Sequence, residues 1–178
     1  MNIKLSAGVL AIAGLIGCAS NKAPDVTGSI RSSLKQAGLN DVTVSQDRDK
    51  GVVTLGGKVA QAAEKDTAER LARPLAGNQV IADQIAVLPK GDESDAKSVN
   101  SDLDKGIEAN LDAAFTKAAI KGIRHSVKNG VVTLKGDLDT QGLRADAERV
   151  AATVPNVRQV VNEIDVKNQR ATTSSAAR

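Results

Sequence analysis

The side chains best suited to chemistry in this 178-residue sequence lack the partners that catalysis requires. His125 is the only histidine, so a metal site of several imidazoles is excluded, and no serine or cysteine nucleophile pattern surrounds it. We expect it to be a surface residue of a strand. Asp47 and Asp49 lie close together, but no glutamate completes a calcium loop, and turn chemistry accounts for both. We therefore expect no enzyme, no metal site and no cofactor.

The only thiol, Cys18, follows a segment typical of exported proteins. Lys4 provides a basic start, and residues 5–16 are apolar or small and uncharged. This run is shorter than the ~20 residues that span a bilayer as a helix. Cys18 has no intramolecular disulfide partner, so another role is needed. An ordinary signal peptide followed by a free cysteine is the alternative to a modified thiol.

The four residues Leu15-Ile16-Gly17-Cys18 resemble the lipobox of bacterial lipoproteins. The resemblance implies transfer of diacylglycerol to Cys18, cleavage after Gly17 and an acyl anchor in a membrane. We predict a signal peptide at residues 1–17 and a lipidated tether at 18–24. No aspartate follows Cys18, which resembles sorting to the periplasmic face of the outer membrane. That rule varies between lineages, and the inner membrane is the alternative.

The distribution of charge argues against a nucleic-acid partner. The net charge is +3, yet residues 25–88 hold eight basic and eight acidic side chains, and residues 101–167 hold ten of each. Nucleic-acid binders usually concentrate basic charge on one face. The sequence has one Phe, no Tyr and no Trp, so aromatic platforms for single strands are missing as well.

A basic segment near the middle of the chain is the candidate binding surface. Residues 113–136 contain five basic side chains and no acidic one. Basic groups near an anionic membrane gain about 1 kcal/mol each. The candidate phospholipid-binding residues are Phe115, Lys117, Lys121, Arg124, Lys128 and Lys135. The alternative is a solvated strand edge that basic residues protect from aggregation.

An internal repeat organises the rest of the sequence. Residues 51–59 (GVVTLGGKV) recur as residues 130–138 (GVVTLKGDL), with six of nine positions identical at an offset of 79. Each copy begins with a helix-period apolar stripe, followed by two short strand patterns, a second helical stripe and a last strand. Asn129-Gly130 between β-branched runs predicts a tight hairpin in the second copy.

These patterns predict an α+β protein of two tandem α-β-β-α-β modules. Each module should be a three-stranded mixed sheet covered on one face by two helices. The predicted segments are a first module at 25–88, a linker at 89–100, a second module at 101–167 and a disordered tail at 168–178. The sequence does not indicate whether the modules touch.

The tandem modules, with Gly-Val-Val-x-Leu-x-Gly at the second strand, resemble the BON domain. The last strand, residues 160–166 (VVNEIDV), is similar to that domain's closing strand. The resemblance implies a non-catalytic envelope protein that binds phospholipid or other envelope components. It also implies a role in outer-membrane integrity or stress tolerance. In lipoprotein relatives the first helix of the second module binds anionic phospholipid, but here that helix, predicted at 101–119, is acidic.

Two functions therefore follow as expectations. The first is a lipid-anchored protein whose modules bind anionic phospholipid or another envelope component. The alternative is a protein-interaction or chaperone-like adaptor in the periplasm. Its exposed strand edges would recruit an envelope protein by strand addition.

Overall fold

The computed structural model describes residues 22–166 and 172–175. Cys18 and the predicted signal peptide at 1–17 lie outside the described residues. Both stay predictions, as does the tether at 18–21. The predicted tether is wrong at its end, because Ala23 is buried and its N–H donates to the Arg48 carbonyl at 2.8 Å, which joins it to the first module.

The first module follows the predicted element order. Its elements are α1 (Thr27–Gln36), β1 (Val42–Asp47), β2 (Val52–Val59), α2 (Ala62–Ala76), β3 (Val80–Asp83) and β4 (Ala86–Val87). β1 is antiparallel to β2, whereas β3 and β4 both run parallel to β2. The last two strands are thus one predicted strand in two pieces, and the sheet is mixed.

The second module repeats this order with one added strand. Its elements are α3 (Glu93–Lys117), β5 (Ile123–Lys128), β6 (Val131–Asp137), α4 (Gln141–Ala152), β7 (Gln159–Asp165) and β8 (Thr172–Ser175). β6 pairs antiparallel with β5 and parallel with β7, and the strand order is β5-β6-β7-β8. The predicted α+β fold of two tandem mixed-sheet modules is confirmed.

The turn between β5 and β6 is the tight hairpin that the sequence predicts. Asn129 and Gly130 both have positive φ, 50° and 77° respectively. Two positive values are what a two-residue type I′ turn requires. Lys128 therefore pairs directly with Val131, which fixes the register of the hairpin.

Each module has its own apolar core between two helices and one face of the sheet. In the first, Ile30 of α1 and Ala68 of α2 lie against Val53 and Leu55 of β2. The second core is equivalent and also contains Phe115. Side chains alternate along each strand, so the opposite sheet face carries a different set of residues.

The predicted linker at 89–100 is wrong in its second part, because α3 already begins at Glu93. A helix that packing establishes from Ile107 onward extends upstream at little cost, since each added residue gains a backbone hydrogen bond. Glu93 and Asp95 in the first turn favour the positive helix N-terminus. The non-helical connection between the two modules is therefore limited to residues 88–92.

The predicted disordered tail at 168–178 is also wrong in part. Residues 172–175 form β8, which pairs antiparallel with β7. An edge strand offers unpaired backbone groups to any extended segment, and Thr172 and Thr173 are β-branched residues suited to a strand.

The two modules touch through the sheet faces that the helices leave uncovered. Val52 and Ala82 of the first module form one buried cluster with Val131 and Val161 of the second. Each member of the first pair is equivalent to a member of the second at the repeat offset of 79. The order of layers is helices, sheet, sheet, helices.

Polar contacts extend this interface to the edge of the first sheet. The Gln159 side chain donates to the Ile81 carbonyl at 2.6 Å and accepts from the Asp83 N–H at 3.1 Å. Lys50 and Asp165 form an ion pair across the same boundary. These contacts hold the outer edge of β3 against the second module.

Candidate functional site

The hairpin places three of the candidate basic residues on one sheet face. Arg124 of β5 stands directly opposite Lys135 of β6 in the register. Lys128 shares the face of Arg124 because it lies four residues further along the same strand. All three side chains are exposed. They define the basic sheet face, which lies on the side of the second sheet that α3 and α4 leave uncovered. Lys128 also lines the cleft between the two modules.

Two other candidates lie outside this face. Lys117 is exposed in the last turn of α3, and Lys121 is exposed in the connection between α3 and β5. Neither forms an ion pair within residues 22–166. They add positive charge near the start of β5, but the strand register does not align them with Arg124.

The proposed role of Phe115 as a contact for lipid is wrong. Phe115 is only 5% exposed and belongs to the core of the second module. Ile107, Leu111 and Phe115 repeat every four residues along α3, so all three face the sheet. An apolar anchor for a bilayer is therefore not available at this position.

His125 is also more covered than the sequence suggests. Its side chain points toward α3, with its ring centroid 5.8 Å from that of Phe115. Its Nε2 lies 3.6 Å from a carboxylate oxygen of Asp112. His125 is thus a packing residue between strand and helix rather than a surface residue.

The basic sheet face is partly neutralised by one buried carboxylate. Glu163 of β7 lies beside Lys135 and its oxygen is 3.0 Å from the ammonium nitrogen. Arg124 and Lys128 have no such partner among residues 22–166. The uncompensated charge is therefore concentrated on β5.

The acidic residues of α3 have a structural task that the sequence did not reveal. The two Asp104 oxygens accept from the Asn129 and Gly130 N–H groups at 2.7 and 2.9 Å. Glu108 accepts from the Val127 N–H at 3.3 Å. These carboxylates attach the helix to the end of the hairpin, which gives two of its acidic residues a structural role.

A cleft of about 850 Å³ lies between the modules beside this attachment. Ala86 and Leu88 line its first-module side, and α3 and Asn129 line the other. Exposed Lys58 and Lys97 stand at the cleft together with Lys128. Its carboxylates Asp104 and Glu108 are already bound to backbone N–H groups, so we assign the cleft no ligand.

Both modules contain a buried basic residue at the same repeat position, and sequence reasoning missed the pair. Lys65 of α2 donates to the Asp83 and Ile85 carbonyls at 3.2 and 2.9 Å. Arg144 of α4 donates to the Asn162 carbonyl at 3.0 Å. The offset of 79 relates Lys65 to Arg144 and Asp83 to Asn162, so the repeat was the signal that could have found them.

Burial shifts the ionisation of these groups. It lowers the pKa of Lys65, although the Asp83 carboxylate, 3.5 Å away, acts in the opposite direction. Burial also raises the pKa of Asp83, against the influence of Lys65. The pKa of Arg144 is lowered for the same reason. These groups join a helix to the last strand of each module and face away from solvent, which favours a structural role.

Within the part of the chain that the structure describes, no helix is both long enough and apolar enough to cross a bilayer. The same residues contain no group of three or more potential metal ligands from His, Cys, Asp and Glu.

Two copies of one α-β-β-α-β module, packed sheet against sheet, define a tandem-repeat α+β protein. The family model of the BON domain matches residues 23–89 and 103–168, so the chain belongs to the BON-domain family. The resemblance of both modules to this domain is thereby confirmed.

Similarity to individual proteins is more distant. The chain is 26% identical over 146 residues to osmotically-inducible protein Y of Escherichia coli (strain K12), covering 80% of this chain and 71% of that protein. One solved structure, the C-terminal domain of the type III secretion protein CdsD of Chlamydia trachomatis, has a TM-score of 0.32 at 12% identity and covers 80% of this chain and 96% of that one. A second CdsD structure has a TM-score of 0.36 at 12% identity and covers 80% and 92%.

Proposed function

We propose that this chain is a non-catalytic, lipid-anchored protein of the bacterial envelope that docks its second module on anionic phospholipid. The observation that carries the proposal is the basic sheet face. Arg124, Lys128 and Lys135 are exposed on one surface of a sheet rather than scattered around the module.

Docking by this face would be electrostatic. With Phe115 buried, the surface offers charge without an apolar anchor, so its attraction to a membrane is weakened by salt. A few basic residues at about 1 kcal/mol each give only weak binding. The proposed acyl group on Cys18 compensates, because tethering keeps the modules at a high effective concentration beside the membrane.

We extend the proposal to the location of the protein and to its physiological role. The lipobox-like sequence and the residue after Cys18, an alanine, support the periplasmic face of the outer membrane. The name of osmotically-inducible protein Y, together with family membership, supports a role in osmotic stress or envelope integrity.

Vesicle flotation of the unlipidated chain (residues 18–178 with Cys18→Ser) tests the docking step. We expect it to float with vesicles of phosphatidylglycerol and phosphatidylcholine, and not with phosphatidylcholine alone. Arg124→Glu with Lys128→Glu should abolish flotation, because the charges are then repelled by the lipid. Added salt should have the same effect.

A matched control places the same charge change on the first module. Lys35→Glu with Arg70→Glu alters two exposed helix residues and should leave flotation intact. Equal losses in both double variants would mean that net charge, rather than the basic sheet face, attracts the chain. Absence of flotation in the unsubstituted chain would refute lipid docking.

A further inference from the structure

We propose that the outer edge of β5 is a docking site for an extended acidic segment of another polypeptide, which would add a fifth strand to the second sheet. This goes beyond phospholipid docking, because it uses backbone groups at the sheet edge as well as charge.

The backbone of β5 has unused hydrogen-bonding groups on its outer side. The Val127 N–H donates to Glu108 of α3 and therefore points away from β6. Alternate residues of a strand point the same way, so the N–H and C=O groups of Ile123 and His125 also point outward. Neither residue's outward groups have a partner in residues 22–166 or 172–175. An incoming strand needs such a row of donors and acceptors.

The β3 and β1 edges of the first sheet are each contacted by side chains. On β3, Gln159 of the second module binds the Ile81 carbonyl and the Asp83 N–H. At the middle of β1, Arg31 of α1 donates to the Val44 carbonyl at 3.2 Å.

Glu108 covers β5 only near its end, so the half that begins at Ile123 remains open. Side-chain cover is one way in which proteins block unwanted strand addition, and its absence here leaves the edge usable.

The positive charge on β5 indicates what kind of segment would bind at this edge. Arg124 and Lys128 flank Ser126 on one face of β5, and none of the three is paired with an acid in residues 22–166. Cross-strand neighbours on one face interact directly, so acidic side chains of an added strand would face these two cations.

The opposite face of the added strand would meet a different environment. There α3 presents Glu108 and Asp112 beside the edge, with Asp112 close to His125. Acidic residues on that face would be repelled. The preferred segment therefore alternates acidic residues with apolar or uncharged ones, and a block of consecutive acids is disfavoured.

Amide hydrogen exchange with a synthetic probe tests this proposal on the unlipidated chain. The probe is an eight-residue peptide that alternates glutamate with valine and threonine, and the reference is a peptide of the same composition with the glutamates in one block. We expect the alternating peptide to bind more tightly and to slow exchange of the Ile123 and His125 amides. A strand that accepts their hydrogen bonds is what protects them.

Two variants separate strand addition from simple charge attraction. Arg124→Gln with Lys128→Gln should weaken binding by about tenfold, equal to about 1.4 kcal/mol. Lys135→Gln should change it little, because Lys135 lies on β6, one strand away from the edge. Lipid docking is measured separately, by flotation without any peptide, so the two proposals can fail separately.

Three results would overturn the edge proposal. One is no binding of the alternating peptide. Another is binding without protection of the Ile123 and His125 amides. The third is a loss in Lys135→Gln as large as that in the double variant.

Discussion

At the scale of residues, the repeat carries two chemically different versions of one buried polar contact. In the first module Lys65 is paired with the Asp83 carboxylate, whereas in the second Arg144 donates to the backbone carbonyl of Asn162, whose side chain is an uncharged amide. Asp83 and Asn162 have the same second task. Each accepts from the backbone N–H two residues later, at 3.2 Å. The strand geometry is thus retained while the charge differs.

This difference predicts an asymmetric rescue. Lys65→Met should destabilise the protein by about 3–5 kcal/mol, because it leaves a buried charge and two carbonyls without their partner. Adding Asp83→Asn should restore part of the loss, since the unpaired charge is removed while a side-chain oxygen remains for Ile85 N–H. Urea unfolding measures both changes.

The second module provides the control for the Lys65 and Asp83 substitutions. Arg144→Met should also destabilise the chain, but no charge is left behind at Asn162. Asn162→Asp in that background should destabilise the chain further, because the amide that donates to the Glu148 carboxylate at 3.0 Å is replaced by a group of like charge. Rescue in both modules, or in neither, would contradict the assignment of the Lys65–Asp83 contact as a charge pair.

At this scale, the placement of charged residues on a strand could be predicted from the sequence, whereas the burial of Phe115 and His125 could not. Arg124 and Lys128 share a face because they lie four residues apart on one strand, which sequence spacing reveals, whereas Lys135 joins them only through the pairing of β5 with β6. Phe115 and His125 were misjudged because their burial depends on the contact between α3 and β5. No spacing along the chain reports the distance between two elements.

At the scale of elements, the contact between α3 and the hairpin depends on carboxylates. Asp104→Ala should destabilise the chain by about 1–3 kcal/mol, because two half-buried N–H groups at Asn129 and Gly130 lose their acceptor. Asp104→Asn keeps one acceptor and should have a smaller effect. The shift in the urea midpoint is the measurement.

Asp102→Ala is the matched control on the same helix. Asp102 is exposed and pairs with Lys105, three residues away, at 3.1 Å. We expect a change within about 0.5 kcal/mol, as for most surface substitutions. If the two variants were equally mild, the Asp104 carboxylate would not be holding the turn.

The order and type of the elements could be predicted because each has a clear period and a turn signal. Their ends could not. Glu93 and its neighbours are polar all round, so no apolar stripe marks the first turns of α3. β8 depends on an edge offered by β7, and a sequence pattern of threonine and serine does not reveal that edge.

At the scale of the whole molecule, the contact between modules can be tested at one amide. The Asp83 N–H donates to the Gln159 side chain of the other module. Gln159→Ala should therefore speed exchange of the Asp83 amide. The Val80 amide, which donates to the Gly51 carbonyl at 2.9 Å within its own module, should keep its rate. An unprotected Asp83 amide in the unsubstituted chain would contradict this contact.

The sequence could not predict this contact, although it contained the residues. Val52 and Val131 sit in identical Gly-Val-Val-Thr-Leu segments, where one valine faces the helices and the other faces outward. An outward valine on a strand has no signature that distinguishes a solvated position from an interface.

The patch of Val52, Ala82, Val131 and Val161 has the form of an isologous contact, in which one surface meets its own copy. Such a surface would allow a free single module to associate as a two-fold symmetric homodimer. Duplication would then have joined two existing subunits in one polypeptide. Gln159, which stands where the first module has Val80, would be a later departure from that symmetry.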